Sequence, residues 1–264
     1  MKEHSIGVFD CGTGGLALVN ELNLLLPSEK VIYFSENPEK DINADDKEAI
    51  KAYTADKIEF IKKYCVKAVI SCCNEINYAW GMKIPQTDIT YSGTFLPASQ
   101  AASASTRNNR IAVIGSSSIV KKGAYAKILK NIRSNITVTG VACPYLSDIQ
   151  TTEDSIISKE KFLKSTADIF EKLREEKVDT IIVADGYYQL IRDEIHSLAG
   201  DSFIIISPYE ETAKKVYNDL LGSDLLTGRE ETSENIIYFS EDETLHKKAA
   251  SAFLKRATKF MLVN

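Results

Sequence analysis

SIGVFDCGTGG (Ser5–Gly15) and RIAVIGSSSIV (Arg110–Val120) are two versions of one pattern. Each is a short Val/Ile-rich run that stops at a small, turn-forming stretch. That is the signature of a buried strand running into a loop and then a helix. A second pair follows at matching spacing. KAVISCCNEI (Lys67–Ile76) resembles DTIIVADGYY (Asp179–Tyr188). Asp10 and Cys73 are 63 residues apart, and Gly115 and Asp185 are 70 apart. The chain therefore reads as two related α/β units. Aligning their strand ends puts Cys73 and Asp185 in equivalent places.

The rest of the chain fits this frame. Val31–Ser35, Ala68–Ser71, Ile136–Ala142, Thr180–Ala184, Phe203–Ser207 and Ile236–Ser240 read as further buried strands. Amphipathic helices are expected over Asp45–Tyr64, Lys159–Glu176 and Asp242–Phe260. This βαβα rhythm predicts an α/β fold with mostly parallel sheets covered by helices. The expected domains are 1–97 plus 208–264, and 98–207. In open parallel sheets ligands bind beyond the carboxyl ends of the strands. Two facing halves would set Cys73 and Asp185 on opposite walls of one cleft.

Composition narrows the function. The 264 residues are 44% hydrophobic and 26% charged, which suits a globular protein. Net charge is −5, with no Lys/Arg-rich block, so a nucleic-acid partner is not expected. No apolar run reaches the roughly 18–20 residues of a membrane span. MKEHSIGVFD lacks the layout of a signal peptide, so the expected location is cytoplasmic. The five cysteines, Cys11, Cys65, Cys72, Cys73 and Cys143, are odd in number and form no paired CxxC set. They read as free thiols rather than a disulfide framework or a structural zinc site. Cys65 and Cys143 read as small core residues. His4, His196 and His246 are too few and too scattered for a histidine-based triad.

Three clusters remain as candidates. Asp10-Cys11-Gly12-Thr13-Gly14-Gly15 is a glycine-rich turn without the spacing of a nucleotide loop. It is either an anion-holding loop or a tight turn exploiting glycine's positive φ. A carboxylate at the end of a buried strand is costly unless paired, which marks out Asp10. In Cys73-Asn74-Glu75, a strand-end cysteine can react as a thiolate, whereas Cys72 suits a core position better. Asp185-Gly186-Tyr187 closes a buried strand, and Asp185 is either a functional acid or the N-cap of the next helix.

These motifs resemble the glutamate racemase family, of the aspartate/glutamate racemase superfamily, along essentially the whole chain. Ile6–Leu16 is similar to the family's IGVFDSGVGGL, Val31–Lys40 to its YFGD segment, and Ser71–Glu75 to its ACNT. Val113–Tyr125, Ala142–Ile149 and Ile236–Leu254 resemble later family segments. The resemblance implies two α/β domains related by a pseudo-twofold axis with the active site between them. It implies cofactor-independent chemistry in which two cysteines exchange protons with the two faces of the substrate Cα. It also implies a small-molecule, amino-acid-like ligand, a link to cell-wall precursors, and a possible homodimer. The family's first cysteine falls on Cys73 and its aspartate on Asp10.

The departures cluster at the site. The family's GCTHYP aligns with Ala184-Asp185-Gly186-Tyr187-Tyr188-Gln189, so Asp185 replaces the second cysteine, Gly186 a threonine and Tyr187 a histidine. Cys11 stands for a serine, Glu75 for a threonine and Ile119 for a carboxylate-holding threonine. Asp41-Ile42-Asn43 replaces Pro-Tyr-Gly. Asp10, Cys73 and Asn74 are kept. Cys73, Asp185 and Asp10 are the expected catalytic residues. Cys11, Asn74, Glu75, Gly186 and Tyr187 are the expected substrate contacts. A model Asp, at pKa ≈ 3.9, holds no proton at neutral pH unless burial raises it. Glu75 and Asp185 add negative charge, which favours a neutral or cationic ligand over a dicarboxylate. Three readings stay open: a racemase of altered substrate, a one-thiol enzyme doing decarboxylation or another isomerisation, and a non-catalytic ligand-binding descendant. A metal site drawn from Cys11, Cys73, Glu75 and Asp185 is not required by any spacing.

Overall fold

The computed structural model describes residues 1–36, 46–143, 155–240 and 243–262. The substrate-loop positions 41–43 and most of 142–149 lie outside them. The chain divides into two units, Met1–Thr94 with Thr212–Asn264, and Phe95–Glu211.

The first unit runs β1 (Ser5–Asp10), α1 (Leu16–Leu25), β2 (Val31–Ser35), α2 (Lys47–Lys62), β3 (Val66–Ser71), α3 (Asn74–Trp80) and β4 (Thr90–Gly93). The second runs α4 (Phe95–Ser105), β5 (Arg110–Gly115), α5 (Ser117–Lys122), α6 (Ala124–Ile132), β6 (Thr137–Ala142), α7 (Ser155–Glu175), β7 (Thr180–Ala184), a 3-10 turn at Gly186–Ile191, α8 (Arg192–Ala199) and β8 (Ile204–Ile206). The boundary falls inside α9 (Pro208–Gly222). β9 (Asn235–Phe239), α10 (Glu243–Phe253) and β10 (Thr258–Leu262) then complete the first unit.

Every strand pair described is parallel. The first sheet has the order β10-β9-β2-β1-β3-β4 and the second β6-β5-β7-β8. Four strands of the first sheet thus repeat the order of the whole second sheet, which is the architectural form of the sequence repeat. β2, β3 and β7 are buried on both faces, as mostly apolar, Val/Ile-containing strands under two helical layers should be. Apolar side chains fill a core within each unit, around Phe34, Ile58, Val69 and Ile76 in the first and Ile114, Phe170, Ile181 and Tyr188 in the second.

Some expectations change. β6 is an edge strand and only partly buried, because no described strand pairs with one of its sides. β4, TYSG, escapes a search for apolar runs because it is four residues long and half polar. The helix expected over Asp242–Phe260 stops at Phe253, and Thr258–Leu262 turns back into the sheet edge as β10. Extending the helical period across Lys255-Arg256 hid this change.

A second buried feature ties the first unit's ends. Lys67, fully buried in β3, pairs with buried Glu29 at 2.6 Å and donates to the carbonyls of Lys2 and Leu225. Glu29 also accepts the Thr227 N–H at 2.8 Å. Each charge is thereby compensated, as burial demands.

Candidate active site

The register of the strands builds the site. Phe9, the penultimate residue of β1, pairs with Ser71 of β3. Residues two steps further on, Cys11 and Cys73, therefore leave adjacent strands at the same level. Their Cα atoms are 5.2 Å apart and their sulfurs are joined as a disulfide. In the second unit Ile114, the penultimate residue of β5, pairs with Val183 of β7. Two steps further on from Val183 lies Asp185. Cys73 and Asp185 thus hold equivalent places in their own sheets.

The disulfide corrects the expectation that all five cysteines are free. Cys73 is also 1% exposed, as buried as Cys72 at 3%, so burial does not separate the two. Bonding to Cys11 does. Burial and the neighbouring Asp10 push the Cys72 thiol well above its usual range. Cys143 is buried as expected. Cys65 is not; it is exposed, with φ 55°, at the turn into β3.

Asp10 is held by the turn that follows it. Its Oδ1 accepts the Cys11 N–H at 2.8 Å and its Oδ2 accepts the Gly15 N–H at 2.7 Å. Tyr33 Oη lies 3.1 Å from Oδ2 and donates to the Gly12 carbonyl at 2.6 Å, which Ser35 Oγ also reaches at 2.8 Å. Burial raises the Asp10 pKa; the two amides, Tyr33 and nearby His246 work against it. Positive φ explains none of the glycines here: Gly12, Gly14 and Gly15 all lie outside the left-handed region. Gly15 has φ −67°. A Cβ there would lie 2.9 Å from both Asp10 Oδ2 and Cys72 Cβ, so close approach is the requirement. Sequence reasoning passed over Tyr33 and His246. Both come from distant segments, and Tyr33 looked like one more residue of a buried strand.

Asn74 and Glu75 open α3, with Cys73 in extended conformation before them. Glu75 Oε2 lies 3.5 Å from Cys73 Sγ. The ligand-type atoms of Cys11, Cys73 and Glu75 fall within 4.8 Å of one another. The two sulfurs are bonded to each other, so this trio offers two thiolates to a metal only after reduction. Asn77, also unforeseen, fixes the turn. Its Nδ2 donates to the Cys73 carbonyl at 2.9 Å, and its Oδ1 accepts the Thr94 N–H at 3.1 Å.

Beside Asp10 and Cys11, a cavity of about 20 Å³ opens among Phe34, Glu36, Tyr53, Lys57 and Tyr238. That is room for about one water. Lys57 pairs with Glu36, and Tyr53 Oη donates to the same carboxylate at 3.4 Å.

In the second unit, Asp185 caps the turn Gly186–Ile191 by accepting the Tyr187 N–H at 2.9 Å. Both alternatives for Asp185 therefore bear on one residue, since capping leaves the rest of the carboxyl available. Burial lifts its pKa to about 6, opposed only by that one amide. Gly186 and Tyr187 are buried, and Ile119, at the family's threonine position, is 6% exposed in α5.

A glutamate racemase from Oceanobacillus iheyensis is 32% identical over 219 residues, covering 81% of this chain and 78% of that protein. The chain belongs to the glutamate racemase family. A family member from Listeria monocytogenes serotype 4a is 31% identical over 257 residues, 96% of this chain and 95% of its own. No family model matches the chain. Among solved structures, glutamate racemase isoform RacE1 from Bacillus anthracis superposes with a TM-score of 0.82 at 24% identity, covering 100% of this chain and 98% of its own. The Francisella tularensis glutamate racemase in complex with D-glutamate gives 0.75 at 19% identity over the same shares. The α/β fold with two parallel sheets is thus the glutamate racemase fold. Among the described residues no helix is long and apolar enough to cross a membrane.

Proposed function

We propose that the chain is a cofactor-independent amino-acid racemase or isomerase whose acid–base pair is Cys73 and Asp185, with Asp10 as an orienting carboxyl. The observation that carries this reading is the half-buried Asp185, equivalent in register to Cys73 and with its pKa lifted by desolvation to about 6. A carboxyl tuned toward neutrality can serve as a proton acceptor at pH 7 and still hold a proton about a tenth of the time. Family membership supports the same chemistry.

In the forward direction Asp185 takes the α-proton as a carboxylate. The Cys73 thiol gives a proton to the opposite face and becomes a thiolate. Proton exchange with solvent resets both groups. Glu75 beside Cys73 supplies a further carboxylate. Two carboxylates disfavour a substrate with a second acidic group, so the ligand expected is a neutral or cationic amino acid rather than glutamate. Asn74, Cys11, Gly186 and Tyr187 are the proposed contacts for it, and a homodimer is the proposed assembly.

Proton NMR in D₂O tests this with the reduced protein and a panel of L- and D-amino acids. Loss of an α-proton signal that disappears in Cys73→Ala and in Asp185→Asn supports the pair. No exchange across the panel by folded, reduced protein sinks it and leaves a different reaction or a binding role.

A further inference from the structure

We propose that Cys11 and Cys73 form a reversible thiol–disulfide couple that sets whether Cys73 exists as a thiol. Three observations carry this. First, the two residues are brought level by the register of β1 and β3 and are bonded. Second, that alignment does not depend on the bond. The Cys72 N–H donates to the Phe9 carbonyl at 2.8 Å, and Asn77 holds the Cys73 carbonyl from the other side. The strand ends stay in place when the sulfurs part, so opening the bond needs no unfolding. Third, the two residues differ in exposure. Cys11 is partly exposed, whereas Cys73 is 1% exposed. An attacking thiol reaches Cys11, and Cys73 is the leaving sulfur.

The chemistry balances with a low-molecular-weight thiol such as glutathione as reductant. One glutathione thiolate bonds to Cys11 Sγ, the Cys11–Cys73 bond breaks, and Cys73 takes up a proton to become a thiol. A second glutathione then attacks the mixed disulfide, releasing Cys11 as a thiol and leaving oxidised glutathione. The reverse consumes one oxidised glutathione and returns two reduced molecules. Glu75 Oε2, 3.5 Å from Cys73 Sγ, is placed to accept the hydrogen of the new thiol. If Cys73 is the proton donor proposed above, the oxidised protein has none to give; that consequence rests on the functional reading, while the couple itself does not.

The test needs no substrate. Purified full-length protein is equilibrated at a series of reduced-to-oxidised glutathione ratios, quenched with acid and alkylated. Peptide mapping without reductant follows, with fragmentation to tell Cys73 from Cys72. The expected result is a Cys11–Cys73 cross-linked peptide whose yield rises and falls reversibly with the ratio, while circular dichroism stays constant. Cys11→Ser and Cys11→Ala should lose that peptide and leave Cys73 open to alkylation in reduced glutathione. Absence of the cross-link at every ratio in folded wild-type protein overturns the proposal. So does a cross-link that resists reduced glutathione until the protein is unfolded, because that describes a structural staple. Cross-linking of Cys73 to Cys72 or Cys65 in the wild type overturns it as well.

Discussion

Gly15 donates its backbone N–H to Asp10 Oδ2 at 2.7 Å, across a gap that has no space for a Cβ. Gly15→Ala would force a methyl group to within 2.9 Å of both that oxygen and Cys72 Cβ. Overpacking of this kind costs about 1–3 kcal/mol. Urea denaturation should show that loss. The same substitution should lower α-proton exchange by moving the Asp10 carboxyl. Wild-type stability in Gly15→Ala would mean that the turn relaxes freely and that the glycine is not needed for close approach.

Burial of Asp185 sets a pH dependence with a definite sign. Its folded pKa, about 6, lies above the ordinary 3.8. Between those values the native state binds more protons than the unfolded chain, so this group makes stability fall as pH rises from about 4 to 6. Above 6 the penalty is constant, at most about 3 kcal/mol. Asn caps a turn as well as Asp does. Asp185→Asn should therefore be more stable than wild type at pH 7.5 and nearly equal to it at pH 3. Chemical denaturation at the two pH values measures this, and equal differences at both would refute the burial argument.

Thiol reactivity should rank the cysteines after reduction. Cys65 is exposed, Cys73 becomes free when Cys11 is reduced, and Cys72 stays buried with its thiol pushed up by desolvation and Asp10. Iodoacetamide on folded, reduced protein should modify exposed Cys65 first, partly exposed Cys11 next, and buried Cys73 and Cys72 last. Timed quenching with peptide mapping reads the order. Early labelling of Cys72 would show that its strand end is open.

Much of this architecture could be read from residues alone. The strands at Ser5–Asp10, Val31–Ser35, Arg110–Gly115 and Thr180–Ala184 are short apolar runs rich in Val and Ile that stop at small or polar residues, and each forms as read. β4 and β10 were not legible because their strand character comes from pairing, one against β3 and the other against β9. The site divides the same way. Asp10 and Asp185 stand out because a carboxylate after a buried run is physically conspicuous. The Cys11–Cys73 bond depends on register between strands that are neighbours in the sheet but separated by α1, β2 and α2 in sequence. Asking which residues leave adjacent strands at one level would have found it. Tyr33 and Asn77 act through hydrogen bonds to residues distant or irregularly placed in sequence, which no spacing announces.

The buried pair of Lys67 and Glu29 supports the base of the same sheet, and its energetics can be separated from the site's. Lys67 Nζ meets Glu29, the Lys2 carbonyl and the Leu225 carbonyl, so its charge is fully engaged. Removing one partner leaves the other charge buried and uncompensated, at about 3–5 kcal/mol. Glu29→Leu should destabilise the protein by that order, and Lys67→Met by a similar amount. The double variant removes both charges and replaces them with apolar volume. It should be more stable than either single variant, because the desolvation penalty disappears together with the attraction. Thermal and urea unfolding of the four proteins complete the cycle. Additive losses in the double variant would show that the two residues act on stability independently, and that the pair is not the unit holding Lys2, Glu29 and Leu225 together.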